Sequence, residues 1–410
     1  MIEISPSGLA LLLAIILLCM VAGWFWSRNL PWSQEAHRVH MPALAGLALG
    51  PFLFAMSGVV VLGLLPGASH QTHLLASLCL IAGALLAGWL FGRGRVQRFV
   101  PPSEARLTIG ELALVAALAF AAAALLFISV FVPLTQNDSL EYATVGRILF
   151  EARTLAAYPV LNPETNSAGF FGPWTHPPLY VAAIYLVEII QGHAQAPGAL
   201  RLISPWFLLT ATGVVYATGA LVDRRTGLAS ALIFVTTPLL FLGAGSALLD
   251  ALYVSAFALL VAALSSIEAR PVARGAIIGA TIGLGLWTHS VAVLFLPLGL
   301  AGLVIHRGVL NVRKLAREMT AAVVFALLVG GWWYWRNIVL FGSPISDNPA
   351  VFALPSLHWN DYFVINRGLD TPVAMIQYGI LKGWFSFEAL SITYWGMVVG
   401  FAAVLVLGGG

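Results

Sequence analysis

Gln136-Asn137-Asp138-Ser139-Leu140-Glu141-Tyr142 and Trp174-Thr175-His176-Pro177-Pro178-Leu179-Tyr180 bracket a polar interruption over residues 135–176. On both sides the chain is apolar in runs of about 18 residues or more, each able to cross a ~30 Å hydrocarbon core as a helix. A polar stretch of this length, carrying carboxylates, arginines and a His-Pro-Pro turn, reads as a loop emerging at a membrane surface. It is where chemistry is expected.

Composition agrees. Hydrophobic residues make up 60% of the 410-residue chain and charged residues 9%, against roughly 25% charged in an average soluble domain. Mean hydropathy is +0.92. The fold expected is all-α: a polytopic integral membrane protein of about 11–13 transmembrane helices with short interfacial helices in an external loop. A net charge of +3 spread over membrane loops gives no reason to expect a nucleic-acid partner. Cys19 and Cys79 lie in separate apolar runs and read as buried free thiols. The first apolar run, over residues 9–26, has no basic leader and no small-residue cleavage site, so it reads as a retained helix.

Basic residues set the orientation. Arg28 and Arg38 flank one loop, Arg93, Arg95, Arg98 and Arg106 crowd a second, and His306, Arg307, Arg313, Lys314 and Arg317 mark a third. By the positive-inside rule these face the cytoplasm. The N-terminus and the loops over residues 135–176 and 342–371 are then external. Between them, segments begin near residues 177, 202, 227, 247, 275 and 291. Six full crossings there would break the parity of the two external loops, so at least one must be re-entrant, merged or interfacial. The break is expected over residues 275–306, where two segments of about 15 residues meet at Thr288-His289-Ser290. Gly275, Gly279 and Gly283 at four-residue spacing predict close helix packing in the same stretch.

No soluble module is visible. There is no Walker loop, no Gly-x-Gly-x-x-Gly between strand and helix, and no zinc spacing. Asn137-Asp138-Ser139 matches a glycosylation sequon, a pattern too common to carry an argument.

Asp138, Glu141 and Tyr142 fall on one face of a helix starting at Asp138. The same Asp-x-x-Glu is also a capping box, with Asp138 as N-cap. The two roles are compatible, because a capping carboxylate can still face a cleft. His176-Pro177-Pro178 reads as a helix start or as an interfacial imidazole able to contact a phosphate. His289 sits between two apolar halves, where an ionisable residue is a packing histidine or a site residue. In Gly331-Trp332-Trp333-Tyr334-Trp335-Arg336-Asn337 the aromatics fit an interfacial belt. Arg336 lies at the external end, where a basic residue invites an anionic partner.

These pieces, in this order, resemble the GT-C membrane glycosyltransferases, in the branch of the protein O-mannosyltransferases and the bacterial lipid A aminoarabinose transferases. The resemblance spans residues 109–394, leaving residues 1–108 as additional N-terminal helices before a GT-C-like module over 109–410. Besides the external Asp-x-x-x-Tyr and Pro-Pro-Leu-Tyr, Arg201-Leu202-Ile203-Ser204-Pro205, Ala247-Leu248-Leu249-Asp250 and Gly283-Leu284-Gly285-Leu286-Trp287-Thr288-His289 are similar to family stretches. So is Trp333-Tyr334-Trp335-Arg336-Asn337 with Phe341-Gly342-Ser343-Pro344.

The resemblance implies an inverting transfer of a sugar from a polyprenyl-phosphate donor to a hydroxyl of a lipid, glycan or protein acceptor, at the external face of a bacterial inner membrane. Asp138 would be the general base, aided by Glu141. Tyr142, His176, Arg201, His289 and Arg336 would bind the donor. The resemblance leaves metal dependence open: some relatives use a divalent ion and others do not, and Asp138 with Glu141 would form half of such a site. The chain departs from the family in three respects. Ser139 stands where many relatives carry a second acid, His289 replaces a lysine, and three helices precede the usual first one. The alternative is a catalytically inactive GT-C-like scaffold or accessory subunit of a membrane complex. A transporter is less well matched, since no internal repeat is found.

Overall fold

A computed structural model describes residues 5–92, 106–134, 137–158, 176–194, 197–307, 311–341 and 344. Arg93, Arg95 and Arg98, most of the 135–176 loop between its flanks, and the 342–371 loop apart from Pro344 lie outside the described residues.

Everything regular among the described residues is helix. In chain order the helices are α1 (Pro6–Arg28), α2 (Gln34–Arg38), α3 (Met41–Leu64), α4 (His70–Gly92), α5 (Ile109–Phe131) and α6 (Asn137–Ala152). Then come α7 (Leu179–Gln191), α8 (Pro197–Leu200), α9 (Ile203–Ala220), α10 (Arg224–Thr236) and α11 (Pro238–Gly245). The last are α12 (Asp250–Ser266), α13 (Pro271–Leu286), α14 (Phe295–Arg307) and α15 (Val312–Phe341), with 3-10 turns at Leu155–Ala157 and Ser290–Leu294.

Six of these are long and apolar enough to cross a membrane, or seven if α10 and α11, bent by 57° at their junction, count as one span. The chain is thus compatible with a polytopic integral membrane protein. The bend follows from Pro238 at the start of α11, which bars the preceding residue from continuing the helix.

The bundle has a basic end. There Ser33 N–H donates to the Ser266 carbonyl and Glu268 N–H to that of Pro31, both at 2.8 Å. Arg224 grips Glu111 through two bonds of 2.7 and 2.8 Å and also donates to the Arg106 carbonyl. Arg274, almost fully buried, pairs with the buried Glu318 at 2.7 Å and donates to the carbonyls of Ile267 and Leu264. Such a buried pair is supported because each of the other two guanidinium nitrogens finds a carbonyl.

Helix packing is closest where glycines line up. A Cβ at Gly275 or Gly279 would collide with the Glu318 or Ala322 carbonyl of α15, and one at Gly23 would collide with the Gly46 carbonyl across the α1–α3 contact. The Gly275-Gly279-Gly283 stripe is therefore a close-packing seam, as its spacing predicted. The N-terminal helices pack directly on the rest: Phe52 meets Phe207 edge-on at 4.9 Å, and His73 binds the Tyr185 hydroxyl.

The 275–306 stretch forms two short apolar helices that meet near His289, and neither reaches the length of the candidate spans; α7 and α12 are short in the same way. Of these, α7 is held at one end of the bundle. Its first turn touches the Ala247 carbonyl through Tyr180, and its last residue, Gln191, accepts from Ser5 N–H at the start of α1. Both contacts lie at the end opposite the basic one. Thirteen residues rise only ~20 Å, too short for a ~30 Å core. All thirteen are buried, so the helix lies inside the protein, beneath α6. A fully apolar segment can be buried by protein as well as by lipid, and hydropathy does not separate the two. The expected 11–13 spans counted this segment, and also residues beyond 344 that are not described.

Candidate functional site

The end opposite the basic loops gathers most of the candidate residues. Helix α6 begins at Asn137, so Asp138 lies in its first turn, with its exposed carboxylate at the favourable positive end of the helix dipole. Tyr142, Val145 and Leu149 recur on one face and are buried, which holds the amphipathic helix against the bundle. Partial burial, and then the Asp138 charge, raise the Glu141 pKa. Burial also pushes the Tyr142 phenol well above its ordinary value, and the carboxylates of Asp138 and Asp250 push it further. Two aspartates from separate helices thus act on one tyrosine.

A clamped turn sets this meeting. Ser139 Oγ donates to the Ser246 carbonyl, Tyr180 Oη to the Ala247 carbonyl at 2.6 Å, and Ser204 Oγ to the Leu248 carbonyl at 2.7 Å. Three helices therefore bind three successive carbonyls, holding Ala247 in the left-handed region at φ 58°. Such a conformation persists in a non-glycine residue only where its surroundings fix it. Asp250 follows at the start of α12. Ser139 is 1% exposed. A second acid at this position would press a buried carboxylate on a carbonyl oxygen, which explains why serine stands there.

A second cluster continues along the same end. The His176 and His289 rings lie 4.2 Å apart, with Ser290 Oγ 3.3 Å from His176 Nδ1. Tyr253, one turn after Asp250, places its ring 5.6 Å from His289. His289 Nδ1 accepts from Val291 N–H at 2.9 Å, so this nitrogen carries no proton and the neutral ring presents Nε2–H. Burial, with His289 alongside, lowers the His176 pKa to about 3. At neutral pH, then, His176 is not a cation, and His289 is held as an acceptor rather than as the protonated imidazole that replacing a lysine would require.

Both arginines are engaged with backbone. Arg336 Nη2 donates to the carbonyls of Tyr158 at 2.7 Å and Leu155 at 3.3 Å, and its guanidinium stacks 4.6 Å from the Trp333 ring. Tyr158 Oη in turn donates to the His176 carbonyl at 2.5 Å. Arg336 is only half-buried and its Nη1 faces Asn337 at 3.3 Å, so the group borders the site while anchoring it. Arg201 stands apart: it is 5% exposed and donates to the Val132 and Ile128 carbonyls at the end of α5. There it completes a helix C-terminus.

Beside Arg336 runs an apolar groove of about 530 Å³ between α13, α14 and α15, lined by Leu286, Val293, Trp332, Trp335 and Ile338. No group of three His, Cys, Asp or Glu among the described residues is placed to hold a metal ion.

The structure thus brings together Asp138, Glu141, Tyr142, His176, His289 and Arg336, and leaves Arg201 outside. Sequence reasoning missed Asp250, Tyr158, Tyr180 and Tyr253 as members of the site. An aspartate abutting an apolar helix start was the available signal for Asp250, and Pro-Pro-Leu-Tyr that for Tyr180, whereas Tyr158 and Tyr253 carry none. Comparison of the chain with protein-family models, curated proteins and solved structures finds no match.

Proposed function

We propose that the chain is an inverting glycosyltransferase that takes a sugar from a polyprenyl-phosphate donor at the external face of a bacterial inner membrane, with the N-terminus on that side. The observation that carries the reading is Asp138 on an interfacial helix, with Asp250 close by, at the end of the bundle away from the basic loops. Asp138 accepts the proton of an acceptor hydroxyl as that oxygen attacks the anomeric carbon. The bond from that carbon to the phosphate oxygen breaks, and the lipid phosphate leaves with the bonding electrons. Exposure suits Asp138 to this role, because it keeps the carboxylate reachable. The apolar groove along α15, which runs past the turn that carries Arg336, suits an isoprenoid chain. The acceptor is a lipid, a glycan or a protein.

One observation favours the second reading, a catalytically inactive scaffold or accessory subunit of a membrane complex. Arg336 and the Nη2 of Arg201 are bonded to backbone and His176 is neutral, so of these three residues only Arg201 keeps a buried unpartnered donor, Nε, among the described residues. Release of free polyprenyl phosphate from a panel of lipid-phosphate sugars separates the two. Turnover that falls by roughly 10²–10⁴ in Asp138→Asn supports the enzyme. Absence of turnover with every donor, or equal turnover in both proteins, supports the scaffold.

A further inference from the structure

On the far side of α6 from Asp138, a cleft of about 200 Å³ opens between α6 and α7. Leu140, Ala143, Thr144 and Arg147 line it at helical spacing from α6, with Leu200 closing one wall. Glu188 of α7 forms the floor. It is 1% exposed, and its Oε2 has no hydrogen-bond partner among the described residues. An orphaned buried carboxyl oxygen is costly unless something visits it. At ~30 Å³ per water the cleft has room for about six or seven waters, which is the scale of one small ring rather than a chain.

The polar groups narrow the ligand. Arg147 stands on the rim, its Nε bound to Glu151 at 3.0 Å in a pair that is 57% and 61% exposed. Exposed pairs of this kind are weak, so the guanidinium is free to turn inward. Thr144 Oγ1 donates back to the Leu140 carbonyl at 2.8 Å, which leaves its lone pairs to accept. A cationic ligand would meet Arg147 across the cleft, and an anionic one would meet Glu151 on the rim. Adjacent hydroxyls, each able to donate and accept, match a carboxyl beside a guanidinium and a threonine oxygen.

We propose that the α6–α7 cleft is a binding site for a single polyhydroxylated ring, a monosaccharide unit held between Glu188 and Arg147. The inference rests on this cleft alone and is independent of the transferase reading.

Saturation-transfer NMR on the full chain in detergent micelles tests it, with methyl glycosides of common hexoses and pentoses as probes and ethanolamine and inorganic phosphate as charged controls. At least one glycoside should bind wild type, about tenfold more weakly in Glu188→Leu and in Arg147→Ala. Should Glu188→Leu fail to fold, Arg147→Ala decides, because its side chain is largely in solvent. No binding of any glycoside, binding unchanged in the folded variants, or binding of a charged control alone would each overturn the proposal. Glycoside binding by a protein that turns over no lipid donor would leave this site standing and remove the transferase.

Discussion

The Ser139 hydroxyl donates to the carbonyl of Ser246, 107 residues further along the chain, and this bond brings the start of α6 to the turn that presents Asp250. Neither residue is acidic, yet together they determine which acids meet.

Replacing Ser139 tests that link. Ser139→Ala strands the Ser246 carbonyl and should cost about 1–3 kcal/mol. Ser139→Asp should cost more, since it buries a charge against the same oxygen. Thermal melts of the purified protein in detergent give the ranking; an aspartate variant as stable as wild type would sink the explanation for serine at this position.

The α13–α15 seam makes a separate prediction. Gly279→Ala drives a methyl group into the Ala322 carbonyl and should destabilise by about 1–3 kcal/mol. Gly110, with open space around its Cβ position, should tolerate alanine without measurable loss. Resistance to unfolding in SDS, followed for the two variants side by side, checks the contrast.

His176 should shape the acid limb of stability. Its folded pKa of about 3 lies below the ordinary ~6.5 of a histidine, so the unfolded chain takes up the proton first as pH falls. The contribution is fully present above about pH 6.5 and is lost progressively as pH drops toward 3. His176→Gln should flatten the stability profile across that window and leave it unchanged above. An imidazole titrating near pH 6.5 in a ¹⁵N-histidine NMR spectrum of the wild type would contradict this.

Arg336 holds two carbonyls through Nη2 while its planar guanidinium stacks on Trp333. Lysine keeps the charge and loses the stacking plane and the reach of that nitrogen. Arg336→Lys should therefore resemble Arg336→Ala in thermal stability, each falling by about 1–3 kcal/mol. If lysine instead restored wild-type stability, the anchoring role would be wrong and charge alone would matter.

Much of the architecture was legible in the chain. Helix content, the long apolar spans, the gathering of basic loops at one end and the Gly275-Gly279-Gly283 seam all follow from local composition and periodicity, which act over a few residues. The polar residues Asp138, Glu141 and Tyr142 also stand out because they interrupt an otherwise apolar sequence.

Tertiary structure decided the rest. An apolar thirteen-residue run reads the same whether lipid or protein buries it, so only packing made α7 an interior helix. An arginine's charge is visible in sequence, but its partners are not. Arg201 was spent on the end of α5 and Arg336 on the Tyr158 and Leu155 carbonyls by backbone groups that any residue would carry. Asp250 joined Asp138 for the same reason: three side chains from three helices bind one turn, and such convergence leaves no periodic trace.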